Sequence, residues 1–251
     1  MMTYTWDFSV VWESLPLLLH GLGVSIVLAV AAMVCGSIVG LLIALIRIGG
    51  LPILSGIAAG YTDLFRNTPI IAQLLWIYYV LPVATGIRIP ALVSAILAFS
   101  LNVGAFMAEI FRAGILSVPK GQWEAAIAIG LTMPQVFRRV IMPQGLQNIL
   151  PAAANIWLSL VKDSSVASVI AIAELMYEAR SLAVNTYRPV EVLTVAGGLY
   201  FIVVYVQSMT LEHFYARSIS RVRHGGSSYE TLASSDDQRI VATKKARGFR
   251  L

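Results

Sequence analysis

Apolar residues follow one another in long blocks along this chain, without the alternation of a half-buried strand or the narrow stripe of a surface helix. Leu17–Ile46 runs thirty positions without a charged residue. Four further blocks follow at Asn67–Ile87, Ile89–Ala108, Val140–Val161 and Val192–Leu211. A helix needs about 20 mostly apolar residues to cross a bilayer, at about 1.5 Å each. The pattern therefore predicts an all-α integral membrane protein with five transmembrane helices. Two shorter apolar runs remain, Ile48–Thr62 and Ser164–Ala173, and the second has the length of a re-entrant or interfacial segment.

One stretch between the third and fourth blocks breaks the pattern: GQWEAAIAIGLTMPQVFRRVIMPQ, Gly121–Gln144. Pro119 suits the opening of a short helix. Trp123, Ala126, Ile127 and Ile129 supply its apolar side, and Gly130 is placed to end it. Thr132 and Gln135 then have the spacing of a capping box. Val136 with Val140, and Phe137 with Ile141, form i,i+4 apolar pairs of a second helix, while Arg138 and Arg139 face elsewhere. Pro143 is expected to mark the turn into the fourth span. The pair reads either as a lid on its own bundle or the membrane surface, or as a docking element for a partner's groove.

Composition agrees with a membrane protein: 58% of residues are hydrophobic and 12% charged, against about 25% charged in soluble domains, and mean hydropathy is +0.78. The net charge of +5 is not gathered on a soluble, aromatic-bearing scaffold, so no nucleic acid is expected as partner. Cys35 is the single cysteine, which excludes a disulfide framework. Placement of Lys and Arg sets the orientation. The N-terminal tail, residues 1–16, has Asp7 and Glu13 but no Lys or Arg, and is expected outside. Residues 216–251 hold eight Lys/Arg against three acids, and are expected as a disordered cytoplasmic tail. The transmembrane domain is then 17–215, with a cytoplasmic excursion over about 113–143. The first block lacks a basic leader and is too long for a signal peptide. Its small residues Ala32, Gly36, Gly40 and Ala44 recur every four positions, which suits close helix approach, either in a dimer or within the bundle.

Polar residues inside spans are costly and tend to face a bundle interior. Asn102 and Glu109 share a face of the third span; Asn155, Ser159 and Asp163 share one of the fourth, beside Lys162. The two stripes are candidates for one polar substrate path. Each has a structural rival: Glu109 with Arg112 as a pair at a helix end, Lys162 and Asp163 at a helix break, Asn102 and Asn155 in bonds between helices. No phosphate-binding loop is present, no metal-ligand grouping, and no clustered catalytic set, so neither enzyme activity nor a cofactor of its own is expected. An ion-coupled carrier would show inverted repeats, and none is evident; a scaffold or channel component is the remaining alternative.

The interrupting stretch resembles the EAA motif of ATP-binding-cassette importer permeases. Glu124, Ala125, Ala126 and Gly130 match it, and Val140, Met142 and Pro143 follow at the motif's spacing with two conservative departures. Leu64–Tyr79, Ala108–Ala126 and Ser159–Leu175 are similar to the polar amino-acid branch, and Trp6–Leu22 to members that carry acidic amino acids. The resemblance covers about residues 6–221. It implies a type I importer permease fold in a bacterial inner membrane. Its partners would be two ATPase subunits that bind ATP and magnesium, an external (periplasmic) binding protein, a second permease chain, identical or homologous, and membrane lipid. It also implies that Gly121–Pro143 contains a coupling helix seated in a cleft of the ATPase, with Glu124 paired to a basic group there. Arg138 and Arg139 read either as rim charges of that contact or as residues facing lipid headgroups.

Overall fold

The computed structural model describes residues 4–213, and every regular element among them is helical. The expected tail, 216–251, lies outside the described residues. In chain order the helices are α1 (Ser9–Glu13), α2 (Leu15–Ile48), α3 (Pro52–Arg66), α4 (Ile70–Thr85), α5 (Ala91–Leu116), α6 (Lys120–Ala128), α7 (Met133–Ile170), α8 (Leu175–Thr186) and α9 (Pro189–His213). Of the described residues, 4–208 form one compact unit, and 209–213 fall outside it.

Among the described residues three helices, α2, α5 and α9, are long and apolar enough to cross a membrane singly; two bent pairs, α3 with α4 and α7 with α8, bring the count to five if each pair is one span. The second apolar block runs as α4 from Ile70 to Thr85, and the bend falls at its start: α3 and α4 meet at 105°. Pro69 is extended (φ −62°, ψ 135°) and cannot continue the helix. Breaking a helix frees carbonyls, and a bilayer has no water to satisfy them. Side chains do so instead. Asn67 donates to Asp63 O (2.8 Å), Thr68 to Leu64 O (2.8 Å), and Gln73 Nε2 to both Phe65 O (2.9 Å) and Thr68 O (3.0 Å).

The interval Ser164–Ala173 carries the end of α7 and the bend into α8. Ser164–Ile170 tightens α7 into a 3-10 turn, Ala171 turns the chain in a left-handed conformation, and α8 starts at Leu175. The carboxylate of Glu174 caps α8 by accepting from Tyr177 N (2.8 Å).

A π turn occurs in α4 at Trp76–Val80 and in α7 at Phe137–Ile141. Each ends two residues before a proline, Pro82 and Pro143. A proline ring clashes with the carbonyl four residues back and donates no hydrogen bond. A wider turn just ahead absorbs both defects and lets the helix continue. Pro143 therefore does not mark a turn, as the sequence suggested; it lies inside a continuous helix.

The small residues of α2 pack within the chain itself, against α5. A Cβ on Gly36 would stand 2.7 Å from Val103 Cγ1, and one on Gly40 would stand 2.6 Å from Met107 Cβ. Ala32 and Ala44 are fully buried on the same stripe. Phe99, Leu74 and Val161 centre the main core, while Leu18, Leu175, Ala179 and Val192 form a second cluster with Val11 of α1. Apolar side chains such as Val27, Val34, Ile38 and Leu42 remain exposed along the outside of α2, the side chemically suited to lipid.

Residues 4–9 are tied down. Glu191, near the start of α9, is fully buried. It accepts from Tyr4 Oη, from Asp7 N (3.1 Å) and from Arg188 Nη1 (3.4 Å), while Arg188 also donates to Thr5 O (2.8 Å). Asp7 in turn accepts from the hydroxyl and backbone N–H of Ser9 (2.6 and 3.0 Å), which hold its carboxyl below the usual range.

Candidate functional site

The excursion between α5 and α7 is shorter than expected. Arg112 sits inside α5, which runs on to Leu116, because its guanidinium is taken up by Glu109 one turn earlier. Pro119 precedes α6 in extended backbone instead of forming its first turn. Ala128 is the last residue of α6, and Gly130 follows with φ +83°. Gly130 N donates to Ile127 O (2.9 Å) and Leu131 N to Ala126 O (3.2 Å). This double bond pattern is a Schellman cap, which needs a residue tolerant of left-handed backbone. The Thr132–Gln135 capping box forms immediately afterwards, with Thr132 N donating to Gln135 Oε1 (2.9 Å). What looked like a second short helix is the first stretch of α7.

Two motifs back to back make a stiff corner with an inside and an outside. Inside, Ala126, Val136 and Ile141 pack with Ile115 and Val118. Outside, Glu124, Ala125 and Gly130 are exposed, as are Ile127 (49%), Ile129 (78%) and Met133 (60%). Arg138, Arg139 and Pro143 are exposed on α7, and the two arginines form no ion pair among the described residues. The corner is held to the bundle where α5 crosses α7. Gly145 and Gly114 meet there so closely that a Cβ on Gly145 would lie 2.8 Å from Gly114 O.

The two polar stripes have different surroundings. Asn102 donates to Phe65 O (3.0 Å) and Gln73 Oε1 (3.3 Å), completing the carbonyl accounting at the α3–α4 bend. Glu109 is paired with Arg47 of α2, with Arg112 (3.0 Å) and more distantly with Arg66 (3.9 Å). Asn155, Ser159, Lys162 and Asp163, by contrast, are all exposed on α7. A partly open cavity of about 520 Å³ lies between the α3–α4 bend and α5. Phe65, Thr68, Gln73, Trp76 and Leu101 are among its walls, and none of the six stripe residues lines it.

Sequence reasoning passed over Gln73, Arg47, Arg66 and Glu174. The bonds that give them meaning join positions far apart in the chain: Arg47 meets Glu109 from 62 residues away. Glu174 is fully buried and accepts from Ser25 Oγ (3.1 Å) and Tyr200 Oη (2.7 Å), so α2, α8 and α9 meet on one carboxylate. Local periodicity carries no sign of such pairs. Among the described residues no group of three or more His, Cys, Asp or Glu is arranged to hold a metal ion.

Known proteins resemble the chain over most of its length. Residues 33–221 match the family described as binding-protein-dependent transport system inner membrane component. The arginine transport system permease protein ArtQ of Bacillus subtilis is 35% identical over 200 residues, covering 80% of this chain and 91% of its own length. The glutamine transport system permease protein GlnP of Escherichia coli K12 is 33% identical over 212 residues, covering 84% and 97%. Among solved structures, an amino acid ABC transporter crystallised with histidines superimposes with a TM-score of 0.80 at 36% identity. That match covers 85% of this chain and all of the other. The MetNI methionine ABC transporter in an inward-facing form shares the fold, with a TM-score of 0.65 at 22% identity and coverage of 85% and 99%. The chain belongs to the family of binding-protein-dependent transport system inner membrane components, in its amino-acid permease branch, and is a transport subunit, not an enzyme.

Proposed function

We propose that this chain is the permease subunit of an ATP-driven importer for a polar amino acid and that it docks its ATPase through the corner between α6 and α7. The observation that carries the docking reading is the outside of that corner. Ile127, Ile129 and Met133 stand in solvent beside Glu124 on a turn fixed by two capping motifs. Rigid presentation of exposed apolar side chains lowers the entropic cost of binding and suits a helix laid into a groove. Family membership supports this over an ion-coupled carrier or a scaffold.

In this reading ATP and magnesium are bound by the ATPase, and an external binding protein delivers the substrate. The N-terminus lies outside and the corner faces the cytoplasm of a bacterial inner membrane. The substrate path runs along the exposed face of α7 at Asn155, Ser159 and Asp163, with Lys162 beside it, where a second permease chain closes it. Asn102 and Glu109 support the walls of the bundle. The relatives are named for arginine, cystine and glutamine, so a polar amino acid is the substrate class. An acidic one rests on the Trp6–Leu22 resemblance.

The test is co-purification of the ATPase with wild type and Ile129→Glu from mild detergent. Ile129 is 78% exposed, so the charge leaves the permease folded. Loss of the ATPase with an unchanged melting temperature is expected. Undiminished ATPase recovery with Ile129→Glu would remove the corner as the docking site.

A further inference from the structure

Glu109 is shared by more cations than one carboxylate can serve. Arg47 occupies Oε1, and Arg112 places Nε and Nη2 on Oε2 at 3.1 and 3.0 Å. Arg66, the last residue of α3, stands 3.9 Å from Oε1, outside hydrogen-bond reach. Its guanidinium instead lies 5.5 Å from the Phe106 ring. Asp63, one turn back on α3, is exposed and forms no ion pair among the described residues. Three guanidiniums against one carboxylate leave two positive charges uncompensated, on side chains between 17% and 39% exposed. Arginine does not shed its proton in proteins, so the excess persists at any working pH.

The neighbouring surfaces indicate what balances it. α3 exposes Ile53 (78%), Leu54, Ile57 (66%) and Leu64. α2 exposes Ile38, Leu41, Leu42 and Leu45 as it approaches Arg47. Two apolar faces thus lead to one partly exposed basic cluster, the arrangement that accommodates acyl chains and an anionic headgroup together. We propose that Arg66, with Arg112, binds the phosphate of an anionic phospholipid whose chains lie on the exposed faces of α2 and α3. This rests on the membrane-spanning fold alone and is independent of the docking and substrate readings. A guanidinium fork matches phosphate oxygens two at a time, and each basic residue near an anionic lipid surface strengthens attraction about fivefold.

The full chain, purified in detergent, is titrated with phosphatidylglycerol while its melting temperature is followed. Phosphatidylcholine, inorganic phosphate and a free polar amino acid are titrated in parallel. Phosphatidylglycerol alone is expected to raise the melting temperature, and Arg66→Gln is expected to move its midpoint up about fivefold. The eight Lys/Arg after Ala216 contribute equally to both proteins, so the difference reports Arg66. Equal responses to phosphatidylglycerol and phosphatidylcholine, or an unmoved midpoint in Arg66→Gln, overturn the proposal. An equivalent response to inorganic phosphate makes this a free-ion site, and an amino-acid response lost in Arg66→Gln places Arg66 on the substrate path; either also overturns it. A reading that needs no variant uses photoactivatable phosphatidylglycerol on wild type. Labelling within residues 52–66 supports the site, and labelling confined to other segments refutes it.

Discussion

Replacing Gly130 separates what the corner needs for its own shape from what it needs for a partner. At φ +83°, alanine is strained by roughly 1–2 kcal/mol, the cost of left-handed backbone for an L-residue. Part of this, about 0.4–1 kcal/mol, is offset because alanine also narrows the unfolded ensemble. Sterics add nothing within the chain, since a Cβ at Gly130 meets no atom within 4 Å. The net is about 1 kcal/mol against the Schellman turn, enough to release the bonds from Gly130 N and Leu131 N in a substantial fraction of molecules. Asparagine tolerates the same conformation far better. Melting temperature in detergent and ATPase affinity by titration are measured for Gly130→Ala and Gly130→Asn. Alanine is expected to weaken ATPase binding about fivefold, with asparagine near wild type. If alanine matches wild type in both assays, the turn does not depend on left-handed backbone at residue 130. If asparagine weakens binding as much as alanine while melting like wild type, the ATPase itself excludes a side chain there.

Gly40→Val drives a branched side chain into Met107 Cβ at 2.6 Å and Gly104 O at 2.8 Å, and should destabilise the α2–α5 pair by about 1–3 kcal/mol. Gly23→Ala on the same helix meets nothing within 4 Å and should be neutral or stabilising by under about 1 kcal/mol; equal melting of the two variants would contradict the packing described. Glu174→Ala removes the cap of α8 and the acceptor for Ser25 and Tyr200, and should cost about 3 kcal/mol, with Glu174→Gln losing less in the same thermal assay.

The spans were legible because each is a run of apolar residues with charges only toward its ends, and that signal is local. Both halves of the α6–α7 corner were legible for the same reason: Gly130 and the Thr132–Gln135 pair act through bonds reaching three to five residues. Proline was the misleading residue. Pro69 breaks a helix and Pro143 does not, although both follow apolar or polar neighbours in unbroken sequence. Pro143 follows a π turn that accommodates it, whereas Pro69 stands in extended backbone between two helices. The polar stripes were found by spacing, but spacing does not say whether a partner waits across the bundle. Asn102 and Glu109 have partners on α3, α4 and α2, whereas Asn155 and Asp163 are left exposed.

The seal around Glu191 has a consequence for how the chain is made. Its donors include Tyr4 and the backbone of Asp7, 184 residues earlier, so an early segment completes a contact with one made much later. During synthesis this segment waits without its acceptor while eight helices emerge after it. Until α9 arrives, the protein is open at that end; from then on, it is closed like a clasp. An affinity tag joined directly ahead of Tyr4 crowds that clasp at the moment it shuts, so a long spacer there, or a tag at the other terminus, is the arrangement that leaves biogenesis undisturbed.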